Sequence, residues 1–108
     1  MNSFSLNDLE AALLTVLPGA VYHYDAPDGV ERYVVYTEFG ERALYGDDAA
    51  ALSLPVVQPD VITQDEADSL VSDIRERLAE LEQVVVLRDS YYDDELMAVR
   101  SVLEVTLM

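Results

Sequence analysis

The stretch TQDEADSLVSDIRERLAEL, from Thr63 to Leu81, is the most strongly patterned part of the chain. Thr63 and Glu66 stand in a Thr-x-x-Glu spacing, a capping box that opens a helix by satisfying free backbone N–H groups. Ala67, Leu70, Val71, Ile74, Leu78 and Leu81 then recur at steps of three and four, the period of one helical face. The spacing predicts a helix over 64–82. At ~1.5 Å per residue such a rod is about 28 Å long, while a chain of this length has an expected radius of gyration of only ~13 Å. It must therefore lie across most of one face of its domain.

Working outward, Val84 to Asp89 reads as a strand, Ser90 to Asp94 as a turn, and Glu95 to Leu107 as a final strand. In that last strand Met97, Val99, Leu103, Val105 and Leu107 fall on one side, with Arg100, Glu104 and Thr106 on the other. Upstream, Ala51 to Ile62 is an extended segment. Its Pro55 and Pro59 cannot both donate to a ladder, which points to an edge or interrupted strand. Gly46-Asp47-Asp48 reads as a loop, and Glu41 to Tyr45 either continues a strand after a bend or stands apart. Val30 to Phe39 is rich in β-branched and aromatic residues; with Ala20 to Asp25 and the turn at Pro27-Asp28-Gly29 it reads as a hairpin. A first helix is expected over 5–17, capped by Ser5 with Asp8, striped by Leu6, Leu9, Leu13, Val16 and Leu17, and ended by Pro18-Gly19.

The order α-β-β-(β)-β-α-β-β implies an α+β two-layer sandwich, a mainly antiparallel sheet with two helices on one face. Strict βαβ alternation is missing, which argues against a doubly wound nucleotide-binding fold. With 108 residues the chain is read as one domain, 1–108. Its 51% hydrophobic and 26% charged residues are close to those of an ordinary folded domain.

Charge is where the chain departs from the ordinary. Twenty-two acids stand against six basic residues, all arginine, for a net charge of −16. The acidity is spread through the chain, with −5 over residues 1–40, −6 over 41–68 and −5 over 69–108. That balance excludes binding nucleic acid by neutralising phosphates and argues against docking on anionic lipid. Without cysteine there is no disulfide or thiolate, and without lysine no Schiff base or P-loop lysine. The single histidine, His23, cannot form a two-histidine metal site. Neither a basic, apolar leader at Met1 to Phe4 nor a run of ~20 apolar residues is present, so a soluble protein with no cofactor or metal is expected.

Several residues bear chemistry and also a plainer reading. The acids Asp47 with Asp48, and Asp93, Asp94 and Glu95, could ligate a hard cation, but they lack the alternation and glycine of a calcium loop and read as solvated turns. His23 could act as a general base, or be a bonded strand histidine with no nucleophile beside it. Seven tyrosines (22, 24, 33, 36, 45, 91 and 92) without a basic groove suit a sheet and protein–protein contact better than base stacking. Arg42, Arg88 and Arg100 could clamp carboxylates of a neighbouring chain or pair within their own.

The run Tyr33-Val-Val-Tyr36-Thr-Glu38-Phe-Gly40, then Gly46-Asp47-Asp48, the extended segment ending Val61-Ile62-Thr63, the helix from Gln64 and a terminal strand after Tyr91-Tyr92 together resemble tail terminator, or tail completion, proteins of long-tailed bacteriophages. The resemblance covers nearly the whole chain as an order of elements. It implies a virion protein without an active site, a homo-hexameric ring on the end of the tail tube. The ring would contact the tail tube protein and the head-tail connector proteins, end tail growth, and let DNA pass unbound. Interface or lumen positions are then sought among Arg42, Asp47, Asp48, Arg88, Tyr91, Tyr92, Asp93, Asp94 and Arg100. The competing expectation is an acidic monomeric module that mimics DNA or inhibits a basic partner. An enzyme using His23 ranks third. Abundant acid without lysine also fits life at high salt.

Overall fold

A computed structural model describes residues 4–45 and 51–108, with the side chains of 42–45 and 51–52 left outside that description. The elements are α1 (Leu6–Val16), β1 (Val21–His23), β2 (Tyr33–Tyr45), β3 (Ala51–Thr63), α2 (Leu70–Glu80), β4 (Val84–Asp93) and β5 (Ala98–Thr106). The strands form one mixed sheet in the order β1-β2-β3-β5-β4. This is the expected α+β sandwich with both helices on one face.

That face is defined by the core. Leu9, Ala12, Leu13 and Leu17 from the first helical segment, and Leu70, Ile74 and Leu78 from α2, are buried against Val34, Tyr36, Val57, Val61, Leu103 and Val105 of the sheet. Strand register explains the selection. Val34 pairs with Val61, which pairs with Ser101, so one residue of each strand meets the helices in a row while its chain neighbours turn away.

The first helix forms as its ends predict. Ser5 Oγ accepts from the Asp8 N–H, and Asp8 returns a carboxylate to the Ser5 N–H at 2.8 Å. The second starts later than 64. Thr63 is the buried last residue of β3, paired with Val99, so it is not available as a cap. Its hydroxyl donates to the Asp65 carbonyl at 3.3 Å, and the chain turns through 64–69 before α2 begins. The Thr63–Glu66 capping box is thus not formed, and Ala67 is exposed. Asp68 does the work instead: one carboxylate oxygen accepts the Leu70 N–H at 2.9 Å, and both accept from Arg32 at 2.8 Å. The eleven-residue helix is about 16 Å long.

Three strand expectations are corrected. Ala20–Asp25 and Val30–Phe39 do not form a hairpin; β1 and β2 run parallel, Val21 beside Val34. The connection doubles back because Tyr24 and Gly29 adopt left-handed φ of 72° and 86°. Residues 90–92 are not a turn: β4 continues to Asp93, and the reversal comes at 94–97, with Met97 at φ 52° and 71% exposed rather than facing the core. The proline-bearing strand β3 is central, not an edge. Pro55 and Pro59, four apart, turn their missing N–H to the same side, toward β5. Pro55 lies beyond the last β3–β5 pair, and the ladder skips 58–59 between Val57↔Val105 and Asp60↔Val102. No donor is missed at either place. Residues 41–45 do continue β2 after a bend, a bulge between Glu38 and Gly40.

Three expectations follow. Arg32 holds the Asp68 carboxyl below the usual carboxylate range, helped by the Leu70 N–H. A carboxyl depressed in the folded state stabilises above its unfolded pKa of ~3.9, and that contribution is lost as pH falls through the folded value. Asp68→Asn should therefore cost about 1 kcal/mol at pH 7, with the difference from the parent closing as pH drops below ~4, read by urea unfolding across pH. Glu66→Ala, outside any cap, should change stability by less than ~0.5 kcal/mol, and Ile74→Ala in the core should cost ~2–5 kcal/mol.

Candidate functional site

Among the described residues no helix or strand packs on the sheet face away from the helices. Its rows follow from register: Tyr33, Ile62, Arg100 and Tyr91 lie side by side across four strands, and so do Val35, Asp60, Val102 and Asp89. The alternation that turns Val34 and Val61 inward places these residues outward.

Arginines organise this face. The Arg100 guanidinium bonds Asp60 of the neighbouring strand and reaches Asp93 at 3.5 Å. Both acids are mostly buried, 14% and 15% exposed, so the cation is set between two carboxylates that water screens poorly. Partial burial is the largest single effect and works against the charge on Arg100, but Asp60, Tyr91 and Asp93 together outweigh it and raise the pKa above the ordinary guanidinium value. Arg88, more exposed at 54%, bonds Glu104, which is 11% exposed. At one end of the face Tyr24, Asp25, Asp28, Tyr33, Ile62 and Glu95 line an open concavity of about 370 Å³. This surface can recognise another surface through aromatic rings and paired charges.

The positions singled out from sequence divide into three groups. Arg88, Tyr91, Asp93 and Arg100 come together on the open face. Tyr92 pairs with Val99 and so turns to the other side, while Asp94 is exposed in the turn after β4. Arg42 lies in β2 opposite Leu54, its side chain outside the described residues, and Asp47 and Asp48 lie outside them altogether. Asp60 and Glu104 were missed. An acid inside an apolar strand, at a position of the same parity as an arginine two strands on, is the signal that could have found Asp60.

His23 belongs to a different cluster at the sheet edge. Its ring stacks between Tyr24, centroids 4.0 Å apart, and Tyr36 at 4.6 Å, and its Nε2 is 3.0 Å from a Glu38 oxygen. The Tyr24 hydroxyl, then His23, hold the Glu38 carboxyl below the usual range. Burial, with Glu10 nearby, pushes the Tyr36 hydroxyl up to about 12. The histidine is thus bonded and stacked within the fold. Among the described residues no three His, Asp or Glu side chains are grouped to hold a metal ion, and no helix is long and apolar enough to cross a membrane.

No protein-family model matches the sequence, and no curated protein matches it. Among solved structures, the chain is similar to one in the virion of a native gene transfer agent particle. The alignment covers 90% of this chain and 84% of that one, at 15% identity and a TM-score of 0.48.

Arg100→Met should cost ~1–3 kcal/mol, because it leaves Asp60 and Asp93 mostly buried without their cation. Arg88→Ala takes the guanidinium from Glu104, itself 11% exposed, and should cost about 1–2 kcal/mol, less than Arg100→Met because one mostly buried acid is affected and not two. Equilibrium unfolding of the two variants beside the parent provides the comparison.

Proposed function

We propose that the chain is a structural subunit of a phage-type particle, a tail terminator. It closes as a hexameric ring on the end of the tail tube, ends tube growth and joins it to the head connector proteins. The observation that carries this reading is the one-sided coverage of the sheet. Both helices lie on one face, and the other, which no helix or strand among the described residues covers, bears Tyr33, Tyr91 and an arginine-centred charge row. Such surfaces, aromatic and arginine-bearing, suit a contact between subunits. The element order agrees with the family resemblance in the sequence.

Shape supports the same reading. The molecule measures 50 × 25 × 23 Å with a radius of gyration of 14.7 Å, above the ~13 Å of a compact chain this long. The excess comes from β2 and β3, whose pairs from Glu41↔Pro55 to Tyr45↔Ala51 run past the last β3–β5 pair as a two-stranded ribbon. Two strands alone are marginal in water, and a neighbouring subunit would support them.

Charge gives the ring a working property. Six copies at −16 each carry −96. Repulsion screened over ~8 Å would keep DNA sliding through a lumen without sticking to it. In this reading the chain has no catalytic role and needs no cofactor.

Native mass measurement with electron microscopy of the protein added to tail tubes tests the proposal. A six-fold ring with an acidic channel at the tube end is expected. A chain that stays monomeric with tubes present overturns it, and strong salt-dependent binding to a basic protein by that monomer would favour the acidic binding module.

A further inference from the structure

We infer that the open concavity of one copy takes the Arg75 side chain from the outer flank of α2 in a second copy. This names a contact within the ring and rests on that reading.

Copies that each carry −16 repel one another, so a stable contact between them needs a cation at the join. The chain has six, all arginine. Four are engaged within their own copy: Arg32 with Asp68, Arg77 with Glu80, Arg88 with Glu104, and Arg100 with Asp60 and Asp93. The side chain of Arg42 lies outside the described residues. Arg75 is exposed and, among the described residues, has no ion pair or hydrogen bond, although the chain carries 22 acids. The helix itself explains this. Its neighbours three and four residues away are Val71, Ser72, Leu78 and Ala79, none of them acidic, while Arg77 turns toward α1 and lines a hollow with Asp8 and Thr15. Arg75 is the described cation left for another molecule.

The concavity is its complement. Asp25, Asp28 and Glu95 stand around it with Tyr24 and Tyr33, and no arginine lines it. Among the described residues none of the three carboxylates has a side-chain partner; Asp25 accepts only the Ala26 N–H. Three carboxylates about one hollow repel one another until a cation enters. Two features suit that cation to be a guanidinium: about 370 Å³ of space, and tyrosine rings, Tyr24 62% exposed, on which the planar group stacks. The nearest rival, a hollow lined by Asp65 and Glu66, holds two carboxylates against three.

The contact can also repeat. The concavity opens on the sheet face away from the helices and Arg75 stands on the helix layer, so two different surfaces meet and each copy keeps one of each for the next. The helix layer of one copy then covers part of the open sheet face of its neighbour.

Arg75, Asp28 and Glu95 are exposed and, among the described residues, bond no other side chain, so reversing their charges leaves the fold alone. Three chains are compared with the parent by native mass and by electron microscopy on tail tubes: Arg75→Glu, Asp28→Arg with Glu95→Arg, and all three changes together. Each of the first two, alone, should lower the share of oligomer about tenfold, because like charges then meet at the contact. Mixed one to one, or combined in one chain, they should restore it, since every new glutamate then faces the new arginines. Arg75→Glu assembling like the parent would overturn the contact and leave the ring intact. Failure of the Asp28 and Glu95 variant alone, with Arg75→Glu unaffected, would overturn it in favour of a cation from the tube protein. Loss in both without restoration would overturn the pairing, and restoration of Arg75→Glu by Glu66→Arg instead would overturn the choice of hollow. A parent chain monomeric at every concentration and with tubes present would overturn the ring reading and this contact together.

Discussion

Everything in this molecule depends on one apolar layer, the packing of two helical stripes against the inner face of a sheet centred on β3. Val57 and Val61, fully buried, lie between the residues of β2 and β5 that meet the same helices. With 108 residues there is only enough apolar surface for one such layer. The helices therefore cover one face, and the other carries charged and aromatic side chains set among Val35, Val102 and a buried Ile62. The open surface is a consequence of where the core is.

A face left to water must still be compatible with a net charge of −16. The arginines make it so locally. Arg100 separates Asp60 from Asp93, and Arg88 holds Glu104, so the most buried acids of the face are those with a cation beside them. Pairing of this kind contributes little net stability but is costly to break, which favours fixed geometry over strength. With Arg88 and Arg100 set among Asp60, Asp89, Asp93 and Glu104, the patch remains acidic but less so than the molecule as a whole.

Much of the architecture was legible because its signals are local. The first helix begins at Ser5 and Asp8 because both halves of its capping box lie within four residues, and the two-layer class follows from two stripes and one sheet. The second helix misled at its start because Thr63 and Glu66 have the right spacing. Only the pairing of Thr63 with Val99 shows that this residue is already used by a strand. Of the candidate site, Arg88, Tyr91, Asp93 and Arg100 were marked by residue type. Their partners Asp60 and Glu104 were not, since ion pairs 40 and 16 residues apart leave no local trace.

The sequence by itself determined the α+β class, the single core, the absence of thiol and lysine chemistry and a uniform acidity, because composition and short-range periodicity act within a few residues. Only the tertiary structure decided that β1 runs parallel to β2, that the proline-bearing β3 lies at the centre, and that β2 and β4 each carry a bulge. Strand direction and order depend on which distant segments bury each other, and that is settled by the closing of the whole apolar layer.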